Sequence, residues 1–166
     1  MVTSSGRRLV APEYLEALRI ICSSLCDTSI NWAVTGSCGF ALQGVPVTPA
    51  DIDIQTDRNS AYEIERILGE HVIEKVHFRK SEIIRSHFGA LIIKGIRVEI
   101  MGDIEKRGQR KTWGKPVDLK KHTRYVKYKG MSIPVLSLEY EYQAYRDLGR
   151  FDKAEMLKSR LTRDRQ

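Results

Sequence analysis

Asp51-Ile52-Asp53-Ile54 sets two carboxylates one residue apart, and Gly36-Ser37 stands just after the apolar run Trp32-Ala33-Val34-Thr35. On a β-strand residues i and i+2 share a face, so Asp51 and Asp53 point together while Ile52 and Ile54 enter a core. Two acids held this close repel unless a cation compensates, which makes them candidate ligands for a hard divalent ion such as Mg²⁺. A glycine at a strand-to-helix turn lets the backbone approach a ligand closely, and exposed N–H groups there attract phosphate oxygens; Ser37 adds a hydroxyl. Further on, Ile96-Arg97-Val98-Glu99-Ile100-Met101 alternates as a strand does and puts Arg97, Glu99 and Met101 on one face. Glu99 is then the third carboxylate, with Asp103, placed after Gly102 as if at a strand end, as the runner-up. Arg97 either contacts a phosphate or pairs with Glu99, and pairing is the favoured reading.

Asp-x-Asp alone matches many surface strands, and Gly-Ser alone is weaker still. In this order, with these apolar flanks, Thr35-Gly36-Ser37, Asp51-Ile52-Asp53-Ile54 and Val98-Glu99-Ile100 resemble the nucleotidyltransferase superfamily that contains DNA polymerase beta. The likeness is to its small single-domain members, such as antibiotic nucleotidyltransferases and AbiEii-type toxins, and it runs from about Trp32 to Ile100. Thr35 departs from the apolar residue usual at its position. Softer resemblance follows in Ile133-Pro134-Val135-Leu136-Ser137, the segment Leu138 to Arg146, and Gly149-Arg150-Phe151-Asp152-Lys153. There Tyr145 or Arg146 stands where the family carries a helix lysine.

The resemblance implies a nucleotidyltransferase fold in which Asp51, Asp53 and Glu99 are the catalytic residues and hold two Mg²⁺ ions, with Mn²⁺ as the alternative. It implies that Gly36, Ser37 and Arg97 bind the nucleotide. An acceptor hydroxyl on a small molecule, a protein or an RNA end would attack the α-phosphorus of an NTP and release pyrophosphate. The competing readings are a catalytically inactive relative that binds nucleotide or RNA, and a basic RNA-associated module whose acids are structural.

The elements that must position these residues read as α/β (α+β): a small mixed β-sheet flanked by helices. Leu15, Leu18, Ile20, Ile21 and Leu25 recur at helical spacing after Pro12, predicting a helix to about Cys26. A strand over about Asn31 to Thr35 leads through the Gly-Ser turn into a helix-compatible segment to Gly44. Pro46 and Pro49 mark a loop that delivers the chain to the acidic strand. A helix follows from Asp57 to about Leu68, with Asn59 or Ser60 as caps. Glu74 to Ser86 reads as irregular. A hairpin comes next, Phe88 to Ile93 and Ile96 to Met101 about a Lys94-Gly95 turn, then a second hairpin at Lys129-Gly130 and two closing helices. The 166 residues, 42% of them apolar, suit one domain, with a core at about 12–104 and a C-terminal hairpin and helices at about 116–163.

Three cysteines, Cys22, Cys26 and Cys38, fit reduced thiols better than a disulfide framework. His71, His77, His87 and His122 lack metal-ligand spacing. Arg7-Arg8 is not followed by the apolar stretch an export signal needs, and no window is long enough for a membrane span, so a cytoplasmic protein is expected. The net charge of +7 favours anionic partners. Basic residues gather at Lys106–Lys111, Lys115, Lys120-Lys121, Arg124–Lys129 and Lys158–Arg165, interleaved with tyrosine in the fourth of these. Such a stretch suits single-stranded nucleic acid or, more simply, a solvated hairpin. This charge disfavours a polycationic aminoglycoside as acceptor and favours tRNA or another anion. So small a core also invites a homodimer or an antitoxin-like partner.

Overall fold

The computed structural model describes residues 10–109 and 111–163. Arg7-Arg8, Arg110 and the tail from Asp164 to Gln166 lie outside them. Along the chain run α1 (Pro12–Leu25), β1 (Trp32–Thr35), α2 (Gly36–Leu42), β2 (Ile52–Thr56), α3 (Arg58–Ile67), a 3-10 turn (Gly69–His71), β3 (Val72–Lys80), β4 (Ile84–Ile93) and β5 (Ile96–Lys106). The single-turn α4 (Leu119–His122), β6 (Thr123–Tyr128), β7 (Met131–Leu136), α5 (Leu138–Asp147) and α6 (Phe151–Arg163) complete it. The strands form one mixed seven-stranded sheet in the order β3-β4-β5-β2-β1-β7-β6.

β1 is buried along its whole length, as expected of a central strand covered on both faces. It pairs antiparallel with β2 and parallel with β7. β2 in turn pairs parallel with β5. α1 begins at Pro12, whose missing N–H costs nothing at a helix start, and buries Leu15, Leu18, Ile21 and Leu25 at the spacing of one helical face. They join Val34, Ile52, Ile54, Val98, Ile100 and Ile133 in the main core. A second cluster, Phe40, Val45, Leu138 and Leu157, fastens α5 and α6 to α2. Gln43 Nε2 donates to the Leu136 carbonyl at 2.8 Å, and Arg160 Nε donates to the Gln43 carbonyl at 3.1 Å, which ties the same elements together.

Both anticipated hairpins form, and their turn residues Lys94-Gly95 and Lys129-Gly130 all have positive φ, the backbone that matches the twist of a two-residue hairpin. The stretch read as irregular, Glu74 to Ser86, is instead largely strand: β3 runs to Lys80 and β4 begins at Ile84. β3 is an edge strand in which only Val76 is buried, and its one-sided alternation stops there, with every later position exposed. Val76 fits because Gly89 faces it; a Cβ there would meet Val76 Cγ2 at 2.7 Å. The α3 cap is Asp57, which accepts from the Ser60 N–H at 2.9 Å, rather than Asn59 or Ser60. β5 does not end near Gly102 but continues to Lys106 through a register shift in its pairing with β4, with Asp103 at φ 47°. No helix among the described residues is long and apolar enough to cross a membrane.

Candidate active site

The pairing of β1, β2 and β5 sets Thr35 opposite Asp53 and Asp53 opposite Glu99, one rung across three strands. Ile52 and Ile54 are fully buried on the other face, so the alternation that sends them into the core turns Asp53 outward. Asp51 immediately precedes β2. Asp51, Asp53 and Glu99 each offer an oxygen within 4.8 Å of the other two. Asp103, the runner-up, is not part of this cluster.

These acids disturb one another. Burial, aided by Asp51 and Glu99, pushes the Asp53 carboxyl up to about 7. Asp51 is raised by burial and Glu99, with Arg97 opposing. Asp53 Oδ1 is buried without a hydrogen-bond partner among the described residues. An orphaned carboxylate oxygen among like charges lacks a cation, and three carboxylates are the donor set a hard divalent ion prefers. The residues therefore fit such an ion. Arg97 Nε donates to Glu99 Oε1 at 2.9 Å, the pairing that is the favoured of its two readings.

Gly36 has φ 67°, and a Cβ on it would lie 2.6 Å from Asp53 Oδ2. Backbone conformation and the nearness of the acid both require glycine there. Ser37 Oγ accepts from the Ala50 N–H at 3.1 Å, fastening the loop that delivers Asp51 to the turn while leaving the hydroxyl hydrogen to be donated elsewhere.

The C-terminal part of the chain contributes a residue that the sequence reading missed. Glu141 on α5 is buried and accepts a hydrogen bond from the Thr35 hydroxyl, and the nearby Gly36 N–H also favours its carboxylate. Burial raises its pKa, while those two donors and Lys106 oppose the rise. Thr35, the residue that departs from the family pattern, is therefore a hydroxyl donor to a buried acid. The signal was present in Leu138, Glu141, Tyr142 and Tyr145, an apolar helical face interrupted by one carboxylate. Where the family carries a helix lysine, Tyr145 lines a cleft with Asp53, its hydroxyl pushed up to about 12 by burial and Glu141. A lysine reaches the same place from β5: Lys106 Nζ lies 6.0 Å from the centre of the Tyr145 ring. Arg146 rests over Tyr142 instead.

This cleft, about 340 Å³, opens beside Thr35, Gly36 and Asp53 and includes Gln55, Lys106 and Arg150. Its size lies at the lower end of small-ligand sites.

The family model for aminoglycoside-2''-adenylyltransferase matches residues 17–160. Among solved structures, TM1012 of Thermotoga maritima, a candidate nucleotidyltransferase, is 60% identical. The match covers 93% of this chain and 96% of that one, with a TM-score of 0.81. The lincosamide antibiotic adenylyltransferase LnuA, solved with lincomycin, is 17% identical over 90% of this chain and 98% of its own, with a TM-score of 0.56. ANT(2'')-Ia, solved with adenylyl-2''-tobramycin, is 11% identical over 90% and 88%, with a TM-score of 0.55. The last two likenesses are of fold alone. No curated protein sequence matches the chain.

Proposed function

The chain belongs to the aminoglycoside-2''-adenylyltransferase family, and from that premise we propose that it is a divalent-metal-dependent enzyme that moves a nucleoside monophosphate from an NTP to an acceptor hydroxyl, releasing pyrophosphate. The observation that carries the reading is the convergence of Asp51, Asp53 and Glu99 within 4.8 Å, with a buried, orphaned oxygen on Asp53, beside the Gly36 turn.

In this reading Asp51, Asp53 and Glu99 hold the metal, which when bound supplies charge stabilisation to the phosphoryl oxygens and lowers the pKa of a coordinated hydroxyl. Gly36 and Ser37 receive the β- and γ-phosphates through the close-approaching backbone and the free hydroxyl hydrogen. Lys106 and Arg150, lining the cleft, offset charge that accumulates on the phosphates during transfer. Glu99 sits nearest the acceptor and favours loss of its proton. Arg97, bonded to Glu99, orients that carboxylate. Thr35 and Glu141 keep the Gly36 turn in place.

The antibiotics in the LnuA and ANT(2'')-Ia structures support an acceptor presenting an alcohol. The net charge of +7 argues against a polycationic one and for a neutral or anionic acceptor, tRNA included. The test is transfer of label from each α-³²P NTP with Mg²⁺ to a panel of neutral, anionic and aminoglycoside acceptors. Label should appear on an acceptor and depend on the metal. Binding of NTP and Mg²⁺ with no transfer across the panel would favour the inactive-relative reading.

A further inference from the structure

Gln55 stands two residues beyond Asp53 on β2 and borders the same cleft, yet it is only 3% exposed. Its Oε1 has no hydrogen-bond partner among the described residues. Its Nε2 donates to Thr35 Oγ1 at 3.5 Å, and Thr35 commits its own hydrogen to the Glu141 carboxylate. Turning the amide over would set Gln55 Oε1 against an oxygen with no hydrogen left to give, so this relay holds the nitrogen inward and leaves the carbonyl oxygen unmatched. A buried amide oxygen without a donor is unfavourable in the free protein. Its place in a cleft beside the acids indicates a donor that arrives with a ligand.

The cleft also indicates which ligand. Gly36 and Asp53 line it, whereas Asp51 and Glu99 do not. If Glu99 attends the acceptor and Gly36 the phosphates, the Gln55 side of Asp53 receives the nucleoside attached to the α-phosphate. We propose that Gln55 is a specificity-determining residue for the donor nucleotide: its Oε1 accepts a hydrogen bond from a ribose O–H or an exocyclic N–H of the base, and Thr35 and Glu141 are the positioning residues that aim it. This assignment rests on the transferase reading above.

The experiment is calorimetry with Mg²⁺ and four nucleotides, ATP, 2'-deoxyATP, 3'-deoxyATP and inosine triphosphate, on the wild-type chain and on Gln55→Leu and Thr35→Val. The two deoxy analogues each lack one ribose hydroxyl and inosine triphosphate lacks the exocyclic amine, so they separate ribose from base. One of them should bind the wild type about tenfold more weakly than ATP, the effect of one hydrogen bond. In Gln55→Leu, ATP should fall to that analogue's affinity while the melting temperature rises, because the orphaned oxygen is gone. Thr35→Val frees the amide to turn and should also erase the discrimination; it decides the matter if Gln55→Leu fails to fold. Equal binding of all four nucleotides by the wild type, or discrimination retained in a folded variant, overturns the role of Gln55 alone. A folded wild type that binds no nucleotide overturns the transferase reading as well.

Discussion

Thr35 and Glu141, 106 residues apart in the chain, share a buried hydrogen bond that joins the end of β1 to α5. The Gly36 N–H also favours the Glu141 carboxylate, so the turn beside the acidic rung is supported from α5 and not by its own strand alone. Removing that carboxylate leaves the buried Thr35 hydroxyl unmatched in the interior. Glu141→Ala should destabilise the fold by about 1–3 kcal/mol, measured by urea unfolding, and raise the KM for NTP. Glu141→Gln, which keeps an oxygen acceptor, should recover most of the stability.

Asp53→Asn and Glu99→Gln are expected to lower kcat by about a hundredfold to a thousandfold, since metal charge stabilisation amounts to several kcal/mol and each 1.4 kcal/mol is a factor of ten. Label transfer reads the loss, and an unchanged far-ultraviolet circular dichroism spectrum shows that the fold survives. Full activity in both variants would remove the acidic rung from the chemistry.

The raised pKa of Asp53 gives a pH dependence with a definite sign. The folded chain holds this proton up to about 7, whereas the unfolded chain releases it near 3.8. Between those values unfolding releases a proton, so the metal-free protein loses stability as pH rises through the window. Asp51 and Glu141, also raised, act in the same sense. The melting temperature without metal should therefore fall from pH 4 to pH 7, less steeply in Asp53→Asn. Added Mg²⁺ should restore stability at the upper end in the wild type and do so weakly in the variant.

Gly36→Ala combines a positive φ, which costs an L-residue about 1–2 kcal/mol, with a Cβ that would meet Asp53 Oδ2 at 2.6 Å. Either the turn or the Asp53 side chain must shift. Mg²⁺-dependent thermal stabilisation and transfer should both drop sharply, and a variant with wild-type metal response would show that the turn has more room than its geometry indicates.

What the sequence determined by itself is what depends on near neighbours. Alternation along Ile52–Ile54 and Val98–Ile100 sorts acids from core residues because successive side chains on a strand take opposite faces. The Gly-Ser turn and both Lys-Gly hairpins carry their own backbone preferences. Only the tertiary structure decided which rungs meet. The register of β2 against β5 sets Asp53 opposite Glu99, and the docking of α5 brings Glu141 to Thr35. The register shift in β5 keeps it running to Lys106, which stands beside Tyr145, one of the two residues read as replacing the family's helix lysine. The edge strand β3 also waited on the fold, because beyond Val76 every position is exposed and the alternation ends. Pairing between segments a hundred residues apart depends on how whole surfaces pack, and no local pattern of residue types encodes it.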